Sequence, residues 1–94
     1  MSSSPAPYDQ QVEFRQLEAF VAVGTELHFG RAAEKKLHMG QPTLSELIRR
    51  LERELGTSLL TRTTRRVALT QAGTELLGRA KLIIDEVEGA VAAV

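Results

Sequence analysis

Apolar residues begin to recur every three or four positions at Phe14, after a start of the chain with little periodicity. Phe14, Leu17, Phe20 and Val21 fall on one face, which predicts a core-packing helix over residues 14 to 26. The preceding residues, 1 to 12, are rich in serine and also contain proline and glutamine. We expect them to form a flexible extension.

A second and a third helix follow, separated by a short break. Residues 27 to 30 are predicted to be a connector and residues 31 to 37 a helix, in which small side chains at Ala32 and Ala33 allow a neighbouring helix to approach closely. The break at residues 38 to 40 contains a glycine, which tolerates positive φ. A small-residue helix, a tight turn and another helix are typical of a helix-turn-helix motif.

The third helix has both a start signal and a stop signal. Pro42 suits the first turn, where its missing N–H costs nothing, and Gly56 suits the end. A buried stripe is predicted at Leu44, Ile48, Leu51 and Leu55. The opposite face is polar and is the one that can meet a DNA groove, with Thr43, Glu46, Arg49, Arg50 and Arg53.

After residue 56 the pattern changes to short apolar runs at 59–60 and 67–69 around a basic loop at 62–66. Two such strands make a wing. Thr70 is a plausible N-cap for a last helix from residue 71 to about residue 91. The predicted fold is mainly α: a winged helix-turn-helix with a three-helix core and a two-stranded wing over residues 13–70, then a linker or dimerisation helix over 71–94.

The last helix is longer than so small a core requires. Its apolar positions form two stripes at helical spacing, which would be exposed without a partner. We therefore predict a homodimer through this helix; the alternative is that the stripes fold back onto their own domain. The predicted interface residues are Leu76, Leu77, Ala80, Ile83, Ile84, Val87 and Val91.

The formal net charge is zero, but the charges are unevenly distributed. Residues 31–66 hold nine basic and four acidic side chains, a local charge of +5, whereas residues 1–30 carry −3 and residues 67–94 carry −2. Positive charge therefore lies around the predicted motif, where it can attract phosphate.

Composition excludes several other kinds of protein. Without cysteine there can be no disulfide, thiolate catalysis or cysteine-based zinc site, and a reducing compartment fits. No apolar run approaches a membrane span, and no secretory signal is visible. His28 and His38 are too far apart for a helical metal pair, and we expect both to be ordinary surface or edge residues. No glycine-rich phosphate loop or nucleophile–base pair is visible, so we predict neither enzymatic activity nor a cofactor or metal.

Motif pieces in order along residues 13 to 90 resemble the LysR-type transcriptional regulators. Together they are more specific than any single piece. They are Phe14-Arg15-Gln16-Leu17, Arg31-Ala32-Ala33, Gln41-Pro42 with Ser45 and Ile48, Leu51-Glu52, Leu55-Gly56, Leu59-Leu60 with Arg62, and Leu69-Thr70 with Ala72-Gly73. The family's N-terminal domain is a winged helix-turn-helix followed by a linker helix, so the resemblance implies the same fold here.

The resemblance also implies which residues meet DNA. Gln41, Pro42 and Thr43 would touch bases, with Gln41 able to pair bidentately with adenine, although it could instead only cap the helix. Arginines of the third helix would bind phosphate and a wing arginine a minor groove, against the alternative that they are merely solvated. The predicted DNA-binding set is Arg31, Gln41, Pro42, Thr43, Ser45, Glu46, Arg49, Arg50, Arg65 and Arg66. Glu52 and Arg62 are interpreted as structural and paired with each other.

Three residues depart from the family pattern. Gly40 replaces a common serine and removes a possible cap or phosphate contact, and Leu60 replaces a common phenylalanine. Glu46 stands where several relatives place an arginine that touches bases. A carboxylate can accept a hydrogen bond from a cytosine amino group but repels phosphate. The base preference at Glu46 is therefore expected to differ from that of those relatives.

The leading hypothesis is sequence-specific binding of double-stranded DNA by a homodimeric bacterial regulator in the cytoplasm, associated with the nucleoid. Full-length family members add a domain that senses a small molecule and can form tetramers. The present chain resembles a fragment without that domain, so we expect it not to respond to an effector itself. The alternative is a winged helix used for protein interaction or dimerisation without specific DNA binding.

Overall fold

The computed structural model describes residues 12–94, apart from the side chains of residues 35–37. The expected extension therefore lies outside the described residues, except Val12, which packs half-buried against the core. The chain forms α1 (Phe14–Glu26), α2 (Phe29–Arg31) continued by a π-helical segment (Ala32–Leu37), α3 (Gln41–Leu55), β1 (Leu60–Arg62), β2 (Val67–Leu69) and α4 (Gln71–Ala93). The mainly α winged helix-turn-helix and its following helix are confirmed.

The core lies where α1, α3 and the second helix, formed by α2 and its π-helical continuation, meet. Phe20, Val23, Leu44, Ile48 and Leu51 are fully buried there. Both helices place their apolar residues three or four positions apart, so each presents one continuous stripe to the other. The bounds of α1 match those expected from the sequence pattern, and α3 begins at Gln41, one residue before the expected range 42–55.

The second helix begins earlier than the sequence pattern predicts. Phe29 and Gly30, expected in a connector, form its first turn, and the Nδ1 atom of His28 accepts a hydrogen bond from the Arg31 backbone N–H at 3.0 Å. Phe29 is buried, which explains the extension, because a helix here turns this ring into the core. The turn before α3 also differs: His38 adopts the left-handed conformation with φ 53°, whereas Gly40 has φ −69°.

The wing is an antiparallel pair in which Leu60, Thr61 and Arg62 face Leu69, Ala68 and Val67. Arg62, expected in the loop, closes β1 instead. The backbone N–H groups of Leu59 and Leu60 donate to one carboxylate oxygen of Glu52, at 2.8 and 3.2 Å. Glu52 thus fastens the start of the wing to α3. The expected pairing of Glu52 with Arg62 is wrong, because the Glu52 carboxylate accepts from the wing amides while the Arg62 guanidinium lies over the Phe29 ring.

Helix α4 starts in close contact with the wing. Thr70 is its N-cap, as predicted, and the Thr70 hydroxyl accepts from Gly73 N–H at 2.9 Å while donating to the Ser58 carbonyl at 2.7 Å. Residue 73 has no room for a side chain, because a Cβ on Gly73 would lie 2.1 Å from the carbonyl oxygen of Leu59. This contact sets the direction in which α4 leaves the domain.

Helix α4 packs on α1 through its first half only. Leu76 and Leu77 are half-buried against the core, and Ala80 is fully buried. Beyond that point the helix projects from the domain, and Ile83 and Val87 are exposed. Within residues 12–94, no helix combines the length and apolar character needed to cross a membrane.

Candidate nucleic-acid interface

Helix α3 presents its first turn and one polar face to solvent. Gln41, Pro42 and Thr43 are exposed at its start, with no side-chain cap over the free backbone N–H groups. Ser45 is half-buried beside them. Exposed amide donors and the positive end of the helix dipole favour an anion, and short side chains here allow a partner to approach the backbone. The start of α3 is therefore suited to contact a phosphate or a base edge.

Further along this face, Glu46 is surrounded by cations. Its Oε1 lies 3.5 Å from Nη2 of Arg49, and its Oε2 lies 3.3 Å from Nη2 of Arg53. Arg50 is exposed on the same helix. All three members of the Glu46 network are about half exposed, so a ligand can reach them. Glu46 therefore forms two ion pairs on this face of α3, one with Arg49 and one with Arg53.

The start of α3 and the wing share one open groove. Its walls include Gly30, Arg31 and Gln41 on the helix-turn-helix side and residues 63–67 on the wing side. The end of the Gln41 side chain lies beside Gly30 of the second helix, since a Cβ on Gly30 would lie 3.6 Å from the Gln41 Oε1. The structure therefore brings Arg31, Gln41, Arg65 and Arg66 to the same groove, although they are up to 35 positions apart in the chain.

The wing turn is held by its own threonine. The Thr63 hydroxyl oxygen accepts from the backbone N–H groups of Arg65 and Arg66, at 3.3 and 3.0 Å, and the Thr63 N–H donates to the Arg66 carbonyl at 2.9 Å. Threonine hydroxyls in turns often accept hydrogen bonds from the backbone N–H groups that follow them. A threonine two positions before two consecutive arginines is thus a sequence feature that indicates this turn. Both arginine side chains are exposed at the tip.

Two further contacts orient the groove walls. The Arg62 guanidinium stacks 4.5 Å from the ring centroid of Phe29 and so ties the wing to the second helix. Arg31 is held by Glu26, with Nε 3.4 Å from the carboxylate and Nη2 donating to the backbone carbonyl at 3.3 Å. The stack joins residues 33 positions apart, and no local pattern in the sequence indicates it.

A separate apolar surface lies on the far half of α4, away from the groove residues in sequence. Ile83, Val87 and Val91 lie on one side of the helix and are exposed by 44, 39 and 68%, whereas Leu82, exposed by 67%, lies off that side. Large aliphatic side chains that remain this exposed along one helix are typical of an interface. Ala80, included in the predicted dimer set, is instead fully buried within the single chain and has no side-chain surface left for a partner.

Comparison with known proteins identifies this arrangement. The family model described as "Bacterial regulatory helix-turn-helix protein, lysR family" matches residues 14–74. The regulator YnfL of Escherichia coli K12 is 48% identical over 81 residues, which are 86% of this chain and 27% of that protein. AlsR of Bacillus subtilis 168 is 46% identical over 76 residues, 81% of this chain and 25% of that protein. The chain thus spans about a quarter of the length of these relatives.

Solved structures show the same fold. The BenM DNA-binding domain in complex with catB site 1 DNA superposes with a TM-score of 0.83 at 40% identity, covering 87% of this chain and 90% of that one. The CbnR DNA-binding domain–DNA complex gives 0.81 at 35% identity, covering 87% and 93%. The family match, the relatives and these structures are consistent with the exposed face of α3, the recognition helix, and with the basic wing. The chain belongs to the lysR family of bacterial regulatory helix-turn-helix proteins, whose N-terminal DNA-binding domain it forms.

Proposed function

We propose that this chain binds double-stranded DNA sequence-specifically as a homodimer, with α3 in the major groove and the wing in the adjacent minor groove. The observation that carries the proposal is the shared groove in which Gln41, at the start of α3, and the wing-tip arginines Arg65 and Arg66 lie together. A rigid surface with both elements on one side can engage adjacent grooves of one duplex. The DNA complexes of BenM and CbnR, which have the same fold, support this reading.

The side chains divide into two roles. Gln41, Pro42 and Thr43, exposed at the start of α3, would contact base edges, and Glu46 lies one turn further along the same helix. Phosphate contacts are proposed for Arg49 and Arg50, for the half-buried hydroxyl of Ser45, and for Arg31. The proposed minor-groove residues are Arg65 and Arg66 at the wing tip.

Dimerisation is proposed through the exposed part of α4. Ile83, Val87 and Val91 offer apolar side chains at spacings that keep them on one side of the helix. Leu76, Leu77 and Ile84 are half-buried, so each has only part of its surface left for a partner. Two copies joined in this way would place their recognition helices in successive major grooves of an interrupted palindrome.

The function of the whole regulator goes beyond the segment described. Because this chain spans about a quarter of its relatives' length, we propose that a small-molecule effector acts through another domain of the full-length protein, which can assemble further into a tetramer. The proposed place of action is the chromosome in the bacterial cytoplasm. A purely protein-binding winged helix is disfavoured, because it would not require a local charge of +5 on residues 31–66.

The test is a salt titration of affinity for a duplex. The logarithm of the binding constant is expected to fall linearly with the logarithm of salt concentration, with a slope of about −0.9 per phosphate neutralised. Arg65→Ala and Arg66→Ala are each expected to make the slope shallower, by roughly one per contact removed from the complex. Lys81→Ala removes the same charge from α4 and is the matched control, with an unchanged slope expected. An affinity that does not respond to salt contradicts the proposal.

A further inference from the structure

Glu46 is an acidic side chain in the middle of a basic, DNA-facing surface. It lies three positions after Thr43 and four after Pro42, so it shares the exposed side of α3 with the residues at the start of that helix. Each of its oxygens faces a different arginine, Arg49 at 3.5 Å and Arg53 at 3.3 Å. One carboxylate therefore engages two of the arginines on the exposed face of α3.

Stability does not account for these contacts. The three side chains are 49 to 63% exposed, and ion pairs with such exposure contribute little to folding. A glutamine at this position would leave the fold essentially unchanged. On DNA, in contrast, the carboxylate meets a dense array of negative charge, and it weakens binding unless the ligand supplies a hydrogen-bond donor.

In the major groove, cytosine is the base that best supplies such a hydrogen-bond donor. The cytosine N4 amino group donates a hydrogen bond in the major groove, whereas the adenine amino group stands beside the N7 acceptor and the guanine edge presents only acceptors. A carboxylate one turn into a recognition helix is thus compatible with a C·G pair and is repelled by most other edges.

Resting on the proposed DNA binding, we propose that Glu46 is the residue that suppresses binding to non-matching DNA and selects a cytosine. On a duplex without the matching base, Glu46 keeps Arg49 and Arg53 engaged and repels the backbone. At the matching site, one carboxylate oxygen accepts from cytosine N4 and the other retains a single arginine. The second arginine is then released to a phosphate, so base recognition and phosphate contact are linked.

The first test is selection from a randomised duplex library by the wild-type chain, Glu46→Gln and Glu46→Ala. The wild type is expected to select one C·G pair in each half-site. Glu46→Gln is expected to replace that cytosine preference by adenine, because an amide can pair bidentately with adenine. Glu46→Ala is expected to accept any base at this position while keeping the rest of the site.

The second test is affinity for a fixed duplex of random sequence at low salt. A unit charge about 6 Å from a phosphate in a water-like dielectric changes binding roughly threefold. With two copies per dimer, both Glu46 variants are expected to bind random DNA roughly tenfold more tightly than the wild type. Glu75→Gln is the matched control, because it removes the same charge from another exposed carboxylate that is paired with an arginine, Arg79 at 3.2 Å on α4. It is expected to change neither measurement.

The outcomes separate this inference from the proposed function. A wild-type chain that selects no sequence refutes the proposed function itself. A wild type that selects a site which both Glu46 variants also select, with unchanged affinity for random DNA, overturns the role of Glu46 alone. An increase in random-DNA affinity that Glu75→Gln reproduces also overturns it, since the effect would then reflect net charge. Thermal unfolding followed by circular dichroism confirms that each variant is folded.

Discussion

Gly73 joins the DNA-binding core to α4, and its replacement by alanine is the sharpest test of how the two parts are connected. The added Cβ would stand 2.1 Å from the Leu59 carbonyl oxygen and 3.2 Å from Cδ2 of Leu69. A carbon–oxygen contact needs about 3.3 Å, so the first turn of α4 and the start of the wing must separate by roughly 1 Å. The carbonyl oxygen and carbonyl carbon of Leu59 that the new Cβ would meet are both backbone atoms, so they cannot rotate away as the end of a side chain could.

The cost follows from what that movement disturbs. Thr70 N–H donates to the same Leu59 oxygen at 3.0 Å, and the Thr70 hydroxyl donates to Ser58 at 2.7 Å. Overpacking costs about 1–3 kcal/mol and each weakened hydrogen bond about 0.5–1.5 kcal/mol, while alanine returns up to about 1 kcal/mol of helix propensity. We expect Gly73→Ala to lower the free energy of unfolding by about 2–4 kcal/mol, on the order of 15 °C in Tm for a domain of this size.

The assay is thermal and urea unfolding followed by circular dichroism at one fixed protein concentration, because dimerisation makes Tm concentration-dependent. Gly78→Ala is the matched control on the same helix: a Cβ there meets nothing within 4 Å. It is expected to raise stability by roughly 0.5–1 kcal/mol. If Gly73→Ala unfolds at or above the wild-type temperature, the close approach of α4 to Leu59 is not a constraint on the fold, and the reasoning is refuted.

The remaining predictions concern the two proposed contact surfaces. Gln41→Ala should reduce the ratio of specific to random DNA affinity by roughly 5- to 100-fold, with Tm unchanged because the side chain is exposed; equal losses on both duplexes would refute base reading by Gln41. Replacing exposed Ile83 and Val87 by glutamate should weaken the dimer at least tenfold in sedimentation while the monomer stays folded. The comparison variant is Leu82→Glu, because Leu82 is exposed by 67% but lies off the predicted stripe. A dimer that stays intact when Ile83 and Val87 are both replaced would rule out α4 as the interface.

Local signals predicted most of the secondary structure. Helix α1 and helix α3 obey the helical period over 13 and 15 residues, and α3 also has Pro42 and Gly56 as boundary residues. The second helix was harder, because Phe29 and Gly30 carry no start signal and His28 is an unusual cap. Its first turn forms because the Phe29 ring is buried, which is a tertiary effect. In the turn that follows, His38 rather than the glycine takes the left-handed conformation.

The sequence pattern predicts which residues form the candidate site but not how those residues are arranged. The polar face of α3 follows from residue spacing, and the wing-tip arginines follow from a basic segment between two apolar runs. That Gln41 and Arg66 line one groove depends on the packing of the wing against the second helix. The ion pairs of Glu46 are compatible with helical spacing, but Glu46 has several cations within reach. Only the folded helix decides that it faces Arg49 and Arg53.

The sequence alone determined the helix-turn-helix, the wing and the long last helix, because periodicity, capping and turn chemistry act over a few neighbouring residues. Tertiary structure alone decided how those elements meet. It stacked Arg62 on Phe29, gave the Glu52 carboxylate to two wing amides, and divided α4 into a packed half and an exposed half at Ala80. Each of these depends on a contact between residues distant in the chain, where many partners satisfy the same local pattern and only simultaneous packing of the core selects one.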